Sequence, residues 1–213
     1  MGIEETARAL AEIGFGEVYL RRRVSVDKRK LLEEHFNSFK DCTKCPLHKH
    51  RTQVVFGDGN PNSPVVFVGE APGEDEDRQG RPFVGRAGKY LNRKIEEVLG
   101  LKREEVYITN VCKCRPPGNR KPTPAEINAC FPYLKRELEI IKPKVICCLG
   151  ATAAEGILGK KLSVTKVRGK TFSYPYDSSI KVLLTYHPAY ILRNPTADRD
   201  FTEDMERLRK MIR

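Results

Sequence analysis

The chain has 213 residues, which is enough for one domain with a sizeable core and a small extension. Hydrophobic residues make up 39% and charged residues 31%, and no apolar stretch approaches the roughly 20 residues of a membrane helix, so we expect no membrane span. A net charge of +11 favours a polyanionic partner such as nucleic acid, although an ordinary solvated basic surface has the same composition.

The first 40 residues predict a helical extension, 1–40, ahead of a main domain at 41–213. Residues 3–13 have the spacing of a short amphipathic helix, and 26–39 that of a second, with Leu31, Leu32 and Phe36 on one side. The N-terminus mixes acidic and basic residues and lacks the uninterrupted apolar segment of a secretory signal. We therefore expect a cytoplasmic protein.

Four short apolar runs predict the strands of one buried sheet. They are continuous rather than alternating, as in parallel strands covered on both faces, and lie at 65–68, 106–109, 145–149 and 182–185. Apolar residues recur at helical spacing over 87–99, 124–141, 151–158 and 200–212. This alternation predicts an α/β fold, a three-layer α/β/α sandwich around a central four-stranded parallel sheet.

The segments that follow the four strands are candidate ligand sites, because open α/β sheets bind ligands beyond the carboxyl ends of their strands. They read GEAPGEDED, NVCKCRPPGNR, GATAAEG and HPAYILRNP, and three of them are rich in polar and turn residues. The first holds five carboxylates between Glu70 and Asp77, which is unexpected in a basic chain.

Seven cysteines in a chain of cytosolic character favour metal ligation over a disulfide framework. Cys42 and Cys45 form a C-x2-C pair in a loop, Cys114 follows a strand end, and Cys130 lies inside the next predicted helix. Four thiolates from two segments can enclose a zinc ion or a [4Fe-4S] cluster, and spacing does not distinguish the two. The alternative is that Cys114 and Cys130 are buried apolar thiols.

The remaining three cysteines are weaker candidates. Cys147 and Cys148 lie inside a predicted strand, where a buried thiol is the simpler interpretation. Cys112 is close to Cys114 in sequence, but the alternation of side chains along a strand puts it out of phase with the ligand position.

The chain contains, in this order, GEAPGEDED with GRPFVG, YITNVCKCRPPGNRKPTPAE, TKVRG and HPAYILRNP. This succession resembles the family 4 uracil-DNA glycosylases, the thermostable iron-sulfur type. The resemblance runs from about Cys42 to the C-terminus. It implies the uracil-glycosylase fold and a [4Fe-4S] cluster on Cys42, Cys45, Cys114 and Cys130. A thermophilic source is also favoured by the presence of only two glutamines beside abundant charge.

The resemblance further implies an enzyme that flips uracil out of DNA and hydrolyses its N-glycosidic bond. This reaction initiates base excision repair and leaves an abasic site, and we expect no strand cleavage because the pocket motifs hold no lysine nucleophile. Glu70 and His187 are the implied catalytic residues. The implied uracil-binding residues are Glu70, Ala71, Gly73, Glu76, Phe83, Asn110 and His187.

The chemistry of uracil explains why these residue types are needed. One carboxamide, that of Asn110, can donate to uracil O4 while accepting from N3–H, a pattern that cytosine reverses. An imidazole N–H of His187 can stabilise the charge that develops on O2. By resemblance Phe83 stacks on the base and Glu76 excludes the methyl group of thymine. Without the resemblance, the sequence is also compatible with Phe83 as an aromatic residue of the core and with Asn110 as a turn residue.

Glu70 can stabilise the positive charge of the sugar, activate water or position the substrate. The best-known uracil glycosylases carry a water-activating aspartate at the next position, where this chain has Ala71. The three roles of Glu70 therefore stay open.

The basic loops predict contacts to uracil-containing DNA. The candidate phosphate ligands are Arg115, Arg120, Lys121 and Arg193, and neutralising phosphates makes affinity fall steeply with salt. Ile191 or Leu192 is the candidate wedge that enters the duplex. We expect a monomer associated with the nucleoid, and leave open whether a sliding clamp or another repair protein binds the extension.

Two other functions compete with this interpretation. A metal-stabilised nucleic-acid-binding module without catalysis explains the charge and the cysteines, but not Asn110, His187 and Glu70 at three separate strand ends. A uracil binder that traps its abasic product through a histidine in an inserted loop is disfavoured, because no histidine lies between Cys114 and Cys130.

Overall fold

Four parallel strands lie in the middle of one mixed sheet, with their carboxyl ends at the same edge. The computed structural model describes residues 26–213. The strands are β1 (Asp58–Gly59), β2 (Val65–Gly69), β3 (Tyr107–Asn110), β4 (Val145–Leu149), β5 (Thr171–Tyr174) and β6 (Asp177–Thr185). Their spatial order is β1-β3-β2-β4-β6-β5, and β3, β2, β4 and β6 run parallel.

The register brings the strand ends level. Gly69 at the end of β2 pairs with Asn110 at the end of β3, and Leu149 at the end of β4 pairs with Thr185 at the end of β6. The segments that leave these four ends therefore start beside one another.

Eight α-helices lie between residues 26 and 213; five of them are near predicted positions, and three short ones, at 74–79, 164–167 and 188–193, were not predicted. The eight helices are α1 (Lys28–Asn37), α2 (Glu74–Gln79), α3 (Arg86–Lys94), α4 (Pro124–Ile141), α5 (Ala151–Leu158), α6 (Val164–Val167), α7 (Pro188–Arg193) and α8 (Asp198–Ile212). A π turn, Ile95–Leu99, continues α3 to the predicted end of that helix. Helix α4 starts at a reciprocal pair in which Thr123 and Glu126 each accept the other's backbone amide.

Two apolar clusters cover the two faces of the sheet. One joins Val66, Ile146 and Val182 to residues of α1, α4 and α5. The other joins Phe67 and Leu183 to residues of α3 and α8. The predicted three-layer α/β/α sandwich is confirmed.

The sheet also has two edge strands that the apolar runs did not predict, β1 and β5, both antiparallel to their neighbours. β1 is only two residues long, and three of the four residues of β5 are at least partly exposed. Neither segment has the continuous apolar run of a buried strand, because each is an edge strand with fewer neighbours to pack against.

Helix α1 belongs to the packed core of the molecule. Leu32 is buried in the same cluster as α4, and Lys28 Nζ donates to the carbonyl of Ile141 at 2.7 Å. Residues of the predicted extension 1–40 therefore pack against the main domain. The predicted helix at 3–13 lies outside the described residues. No helix between residues 26 and 213 is long and apolar enough to cross a membrane.

Candidate active site

One pocket lies at the carboxyl edge of the sheet, where β2, β3 and β6 end. All seven residues predicted to bind uracil line it: Glu70, Ala71, Gly73, Glu76, Phe83, Asn110 and His187. They come from three strand ends and the turn before α3, so the sheet register brings them together.

Asn110 is the last residue of β3, and its side chain is almost fully enclosed. The residue is 3% exposed, and Oδ1 has no hydrogen-bond partner among the described residues. A buried amide oxygen without a partner costs free energy, which a ligand that donates a hydrogen bond offsets.

Gly69 lets Asn110 and Phe83 approach the strand end closely. A Cβ added to Gly69 would lie 2.4 Å from Asn110 Oδ1 and 2.6 Å from the Phe83 ring. These separations are far below van der Waals contact, so only glycine fits here.

Phe83 is both buried and part of the pocket, so the two interpretations of its sequence are compatible. It is 6% exposed, and its ring centroid lies 5.7 Å from that of His187. Its φ of 56° falls in the left-handed region, which is uncommon for a bulky residue. Strain of this kind persists where the surroundings fix the conformation, and it is frequent at functional sites.

Glu76 ties the two walls of the pocket together. Its Oε2 accepts the amide of Gly73 at 3.1 Å, and its Oε1 accepts the amides of Val84 and Gly85 at 2.9 and 2.8 Å. One carboxylate oxygen thus holds the turn between β2 and α2, and the other holds the loop that contains Phe83.

Glu70 follows β2 and lines the pocket with its carboxylate half-buried. Thr152, in the first turn of α5, donates from Oγ1 to Glu70 Oε2 at 2.5 Å. The backbone carbonyl of Glu70 accepts the amide of Cys112. No sequence pattern indicates the Thr152 contact, since the partners are 82 residues apart.

His187 is fixed as a neutral imidazole. It caps α7, and Nδ1 accepts the amide of Ala189 at 3.1 Å. An amide can only donate, so the ring proton lies on Nε2. Burial, and then the positive charge of Arg193, lowers the pKa of His187 to about 4.

Three of the four predicted phosphate ligands carry ion pairs. Arg115 pairs with Glu74 at 3.0 Å, Arg120 with Glu126 at 2.7 Å, and Lys121 with Glu155 at 3.6 Å. The Arg120 guanidinium lowers the pKa of Glu126 to about 2. Arg120 and Arg193 also line the pocket.

The two wedge candidates differ sharply in burial. Ile191 is 3% exposed and packs in the apolar cluster of α3 and α8, whereas Leu192 is 46% exposed. Ile191 is thus held in the core in this structure, whereas Leu192 is the wedge candidate that solvent reaches.

The acidic run that follows β2 has several structural roles. Asp77 is 3% exposed, and both of its carboxylate oxygens accept the amide of Thr52 at 3.0 Å. Asp77 therefore fixes the preceding loop to the start of α2. Asp75 does lie on the surface, paired with Arg78.

The four cysteines predicted as ligands, Cys42, Cys45, Cys114 and Cys130, line one small cavity against α4. Hydrogen-bond donors surround three of the sulfurs. Tyr133 Oη donates to Cys42 and Arg51 Nη1 to Cys114, each at 3.2 Å, and the amide of Lys113 donates to Cys130 at 3.2 Å. Such donors stabilise thiolate sulfur, so the cavity fits a group held by cysteine.

The other cysteines do not line this cavity. Cys112 is buried outside it, and Cys147 and Cys148 are fully buried in β4. Between residues 26 and 213, no three His, Cys, Asp or Glu side chains stand close enough to hold a single metal ion.

The family model of the uracil-DNA glycosylase superfamily matches residues 56–209, so the chain belongs to this superfamily. Within it, the chain is similar to curated type-4 uracil-DNA glycosylases. The protein of Sulfurisphaera tokodaii is 50% identical over 80% of both chains. That of Thermotoga maritima is 49% identical over 87% of this chain and 97% of its own. That of Archaeoglobus fulgidus is 44% identical over 83% and 91%. The predicted family is confirmed.

Proposed function

We propose that this protein is a monofunctional glycosylase that removes uracil from DNA by hydrolysing its N-glycosidic bond and leaves an abasic site. The observation that carries the proposal is the buried Oδ1 of Asn110, which has no partner among the described residues and shares its pocket with a neutral His187. Uracil N3–H supplies the donor that Oδ1 lacks, and the other end of the carboxamide donates to O4.

The base enters the pocket after it leaves the duplex, at an unstacking cost of a few kcal/mol. Phe83 offers a ring face for stacking, and the strained turn that holds it is fixed by Glu76. We propose exclusion of the methyl group of thymine as a second role of this carboxylate, which lines the same pocket.

Breaking the glycosidic bond puts negative charge on the departing uracil and positive charge on the sugar. His187 Nε2–H donates to O2 as that charge develops, and a neutral imidazole does so without delivering its proton. Glu70 provides the negative charge that stabilises the sugar cation or orients the attacking water.

The DNA backbone would be held by the basic residues around the pocket mouth. Arg193 and Arg120 line the pocket itself, and Arg115 and Lys121 exchange their present carboxylate partners for phosphates. Leu192, as the exposed apolar residue of α7, fills the gap left by the flipped base. We further propose that the protein acts as a monomer in the cytoplasm at the nucleoid.

Duplex DNA with one uracil opposite guanine tests this function directly. After incubation, alkali should cut the strand only at the uracil, and untreated strand should stay intact. Glu70→Gln, Asn110→Ala and His187→Ala should each slow single-turnover release by about 100-fold or more. Binding of the duplex without base release would instead support a nucleic-acid-binding module.

We propose that Cys42, Cys45, Cys114 and Cys130 hold a [4Fe-4S] cluster. The four sulfurs line one cavity, which supports a single shared group, and the resemblance to the iron-sulfur type of uracil-DNA glycosylase favours a cluster over zinc. When bound, the cluster stabilises the fold by tying the 42–45 loop to the start of the RPPGNRK loop and to α4.

The purified protein should therefore be brown, with about four iron and four sulfide per chain. Cys130→Ala should lose this colour, whereas Cys148→Ala, a buried thiol outside the cavity, should keep it. Colourless protein with one zinc per chain would contradict the assignment.

A further inference from the structure

The segment after β4, GATAAEG, lies between two proposed catalytic residues but has no role so far. In the sheet, β4 stands between β2, which leads to Glu70, and β6, which leads to His187. Gly150 lies against His187, since an added Cβ would be 3.1 Å from the His187 Cβ. Thr152 reaches to the other side, towards Glu70.

Thr152 can hold a partner firmly. It is 3% exposed, and a β-branched side chain in a helix has few accessible χ1 rotamers. Its hydroxyl donates to Glu70 Oε2 at 2.5 Å. The terminal torsion of a glutamate is broad, so a carboxylate without a partner rotates freely. One fixed donor on Oε2 sets the plane of the Glu70 carboxylate.

The orientation of Glu70 matters because the described pocket offers no substitute for it. Its lining has two carboxylates, Glu70 and Glu76, and both oxygens of Glu76 accept backbone amides. The next position, Ala71, has a methyl group only. Among the carboxylates that line the described pocket, Glu70 is thus the one with an oxygen, Oε1, that is available to the reacting sugar.

We propose that Thr152 is a positioning residue that holds Glu70 Oε2, so that Oε1 faces the sugar or the attacking water during bond cleavage. The proposal rests on the glycosylase function proposed above and extends it to the fourth strand end. Thr152 does not touch the substrate; it acts through Glu70.

Two substitutions separate the hydroxyl from the shape of the side chain. Thr152→Val keeps the shape and removes the donor, and Thr152→Ser keeps the donor. Single-turnover release of uracil from a duplex should fall by about 10- to 100-fold in Thr152→Val, with half-saturating enzyme concentration changed by less than about threefold. Thr152→Ser should stay within about threefold of wild type. Thr202→Val, a helical threonine outside the pocket, is the matched control and should match wild type.

A double-mutant cycle distinguishes positioning from general loosening of the fold. If Thr152 acts only through the Glu70 carboxylate, Thr152→Val should slow the Glu70→Gln enzyme by less than about threefold. If Thr152→Val fails to fold, Thr152→Ala carries the same comparison.

The proposal is overturned by a Thr152→Val rate equal to wild type, by an equal loss in the Glu70→Gln background, or by a serine variant as slow as valine. Each of these outcomes leaves the glycosylase function standing, because wild-type release is measured in the same series. Only a wild type that releases no uracil would remove the proposed function itself.

Discussion

The backbone amide of Ala189 donates a hydrogen bond to Nδ1 of His187 across 3.1 Å. Both residues belong to the start of α7, immediately after β6, so the turn that delivers the histidine to the pocket also selects its tautomer. The ring is left with one proton, on Nε2, which is available to the base.

We expect this imidazole to stay neutral across the physiological range. Burial disfavours the charged form and Arg193 adds repulsion, so the pKa of His187 is lowered to about 4 and the ring gains a proton only as the pH falls through that value. Long-range ¹H–¹⁵N spectra from pH 8 to pH 5 should show the neutral Nε2–H tautomer, with His187→Gln as the assignment control. Arg193→Gln should raise the pKa. A midpoint near 6.5, or a protonated Nδ1, would contradict the account.

Gly69 should be irreplaceable for activity. Alanine there would place a methyl group within 2.6 Å of both Asn110 Oδ1 and the Phe83 ring, which must move apart. We expect Gly69→Ala to lose about 100-fold or more in single-turnover rate while its circular dichroism stays native. Gly159→Ala is the matched control, since nothing lies within 4 Å of the added Cβ and its cost is backbone strain at φ +67°. Equal activities of the two variants would show that the close approach is unimportant.

Glu76 should contribute more to stability than its exposed neighbour Glu74. Removing a carboxylate that accepts three backbone amides leaves Gly73, Val84 and Gly85 without their partner, and we expect Glu76→Ala to lower the free energy of unfolding by about 2 to 3 kcal/mol. Urea denaturation measures it. Glu74→Ala, whose carboxylate is 71% exposed, should cost less than about 0.5 kcal/mol. Indistinguishable midpoints would mean that Glu76 does not brace the pocket.

The two residues at the end of α7 should separate binding from folding. Ile191→Ala removes a buried side chain and should cost about 2 to 4 kcal/mol of stability. Leu192→Ala should leave stability within about 0.5 kcal/mol. If Leu192 fills the gap in the duplex, its truncation should slow uracil release from double-stranded DNA more than from single-stranded DNA. An equal effect on both substrates would remove Leu192 as the wedge.

The central strands and the longer helices could be predicted because each has a local signal, whereas the residues proposed to bind the base came from the resemblance, and they line one pocket. A continuous apolar run marks a strand buried on both faces, and the polar segment after it marks the sheet edge. The edge strands β1 and β5 lack that signal. The burial of Asp77 depends on its contact with Thr52, and that of Ile191 on packing in the apolar cluster of α3 and α8. These partners are distant in sequence from the residues that they cover. The contact of Thr152 with Glu70 could not be predicted for the same reason, since only the order of the strands in the sheet brings the segment GATAAEG beside Glu70.

The central claim is that Asn110 and His187 select uracil for removal. Free bases released from three otherwise identical duplexes, carrying one uracil, cytosine or thymine at the same position, can be quantified by mass spectrometry under single-turnover conditions. The account predicts that wild-type protein releases uracil from the first duplex and that release from the other two is at least about 1000-fold slower, because cytosine reverses the hydrogen-bonding pattern that Asn110 matches and thymine carries the excluded methyl group. Equal release of cytosine, or no release of uracil by the cluster-containing protein, would contradict it.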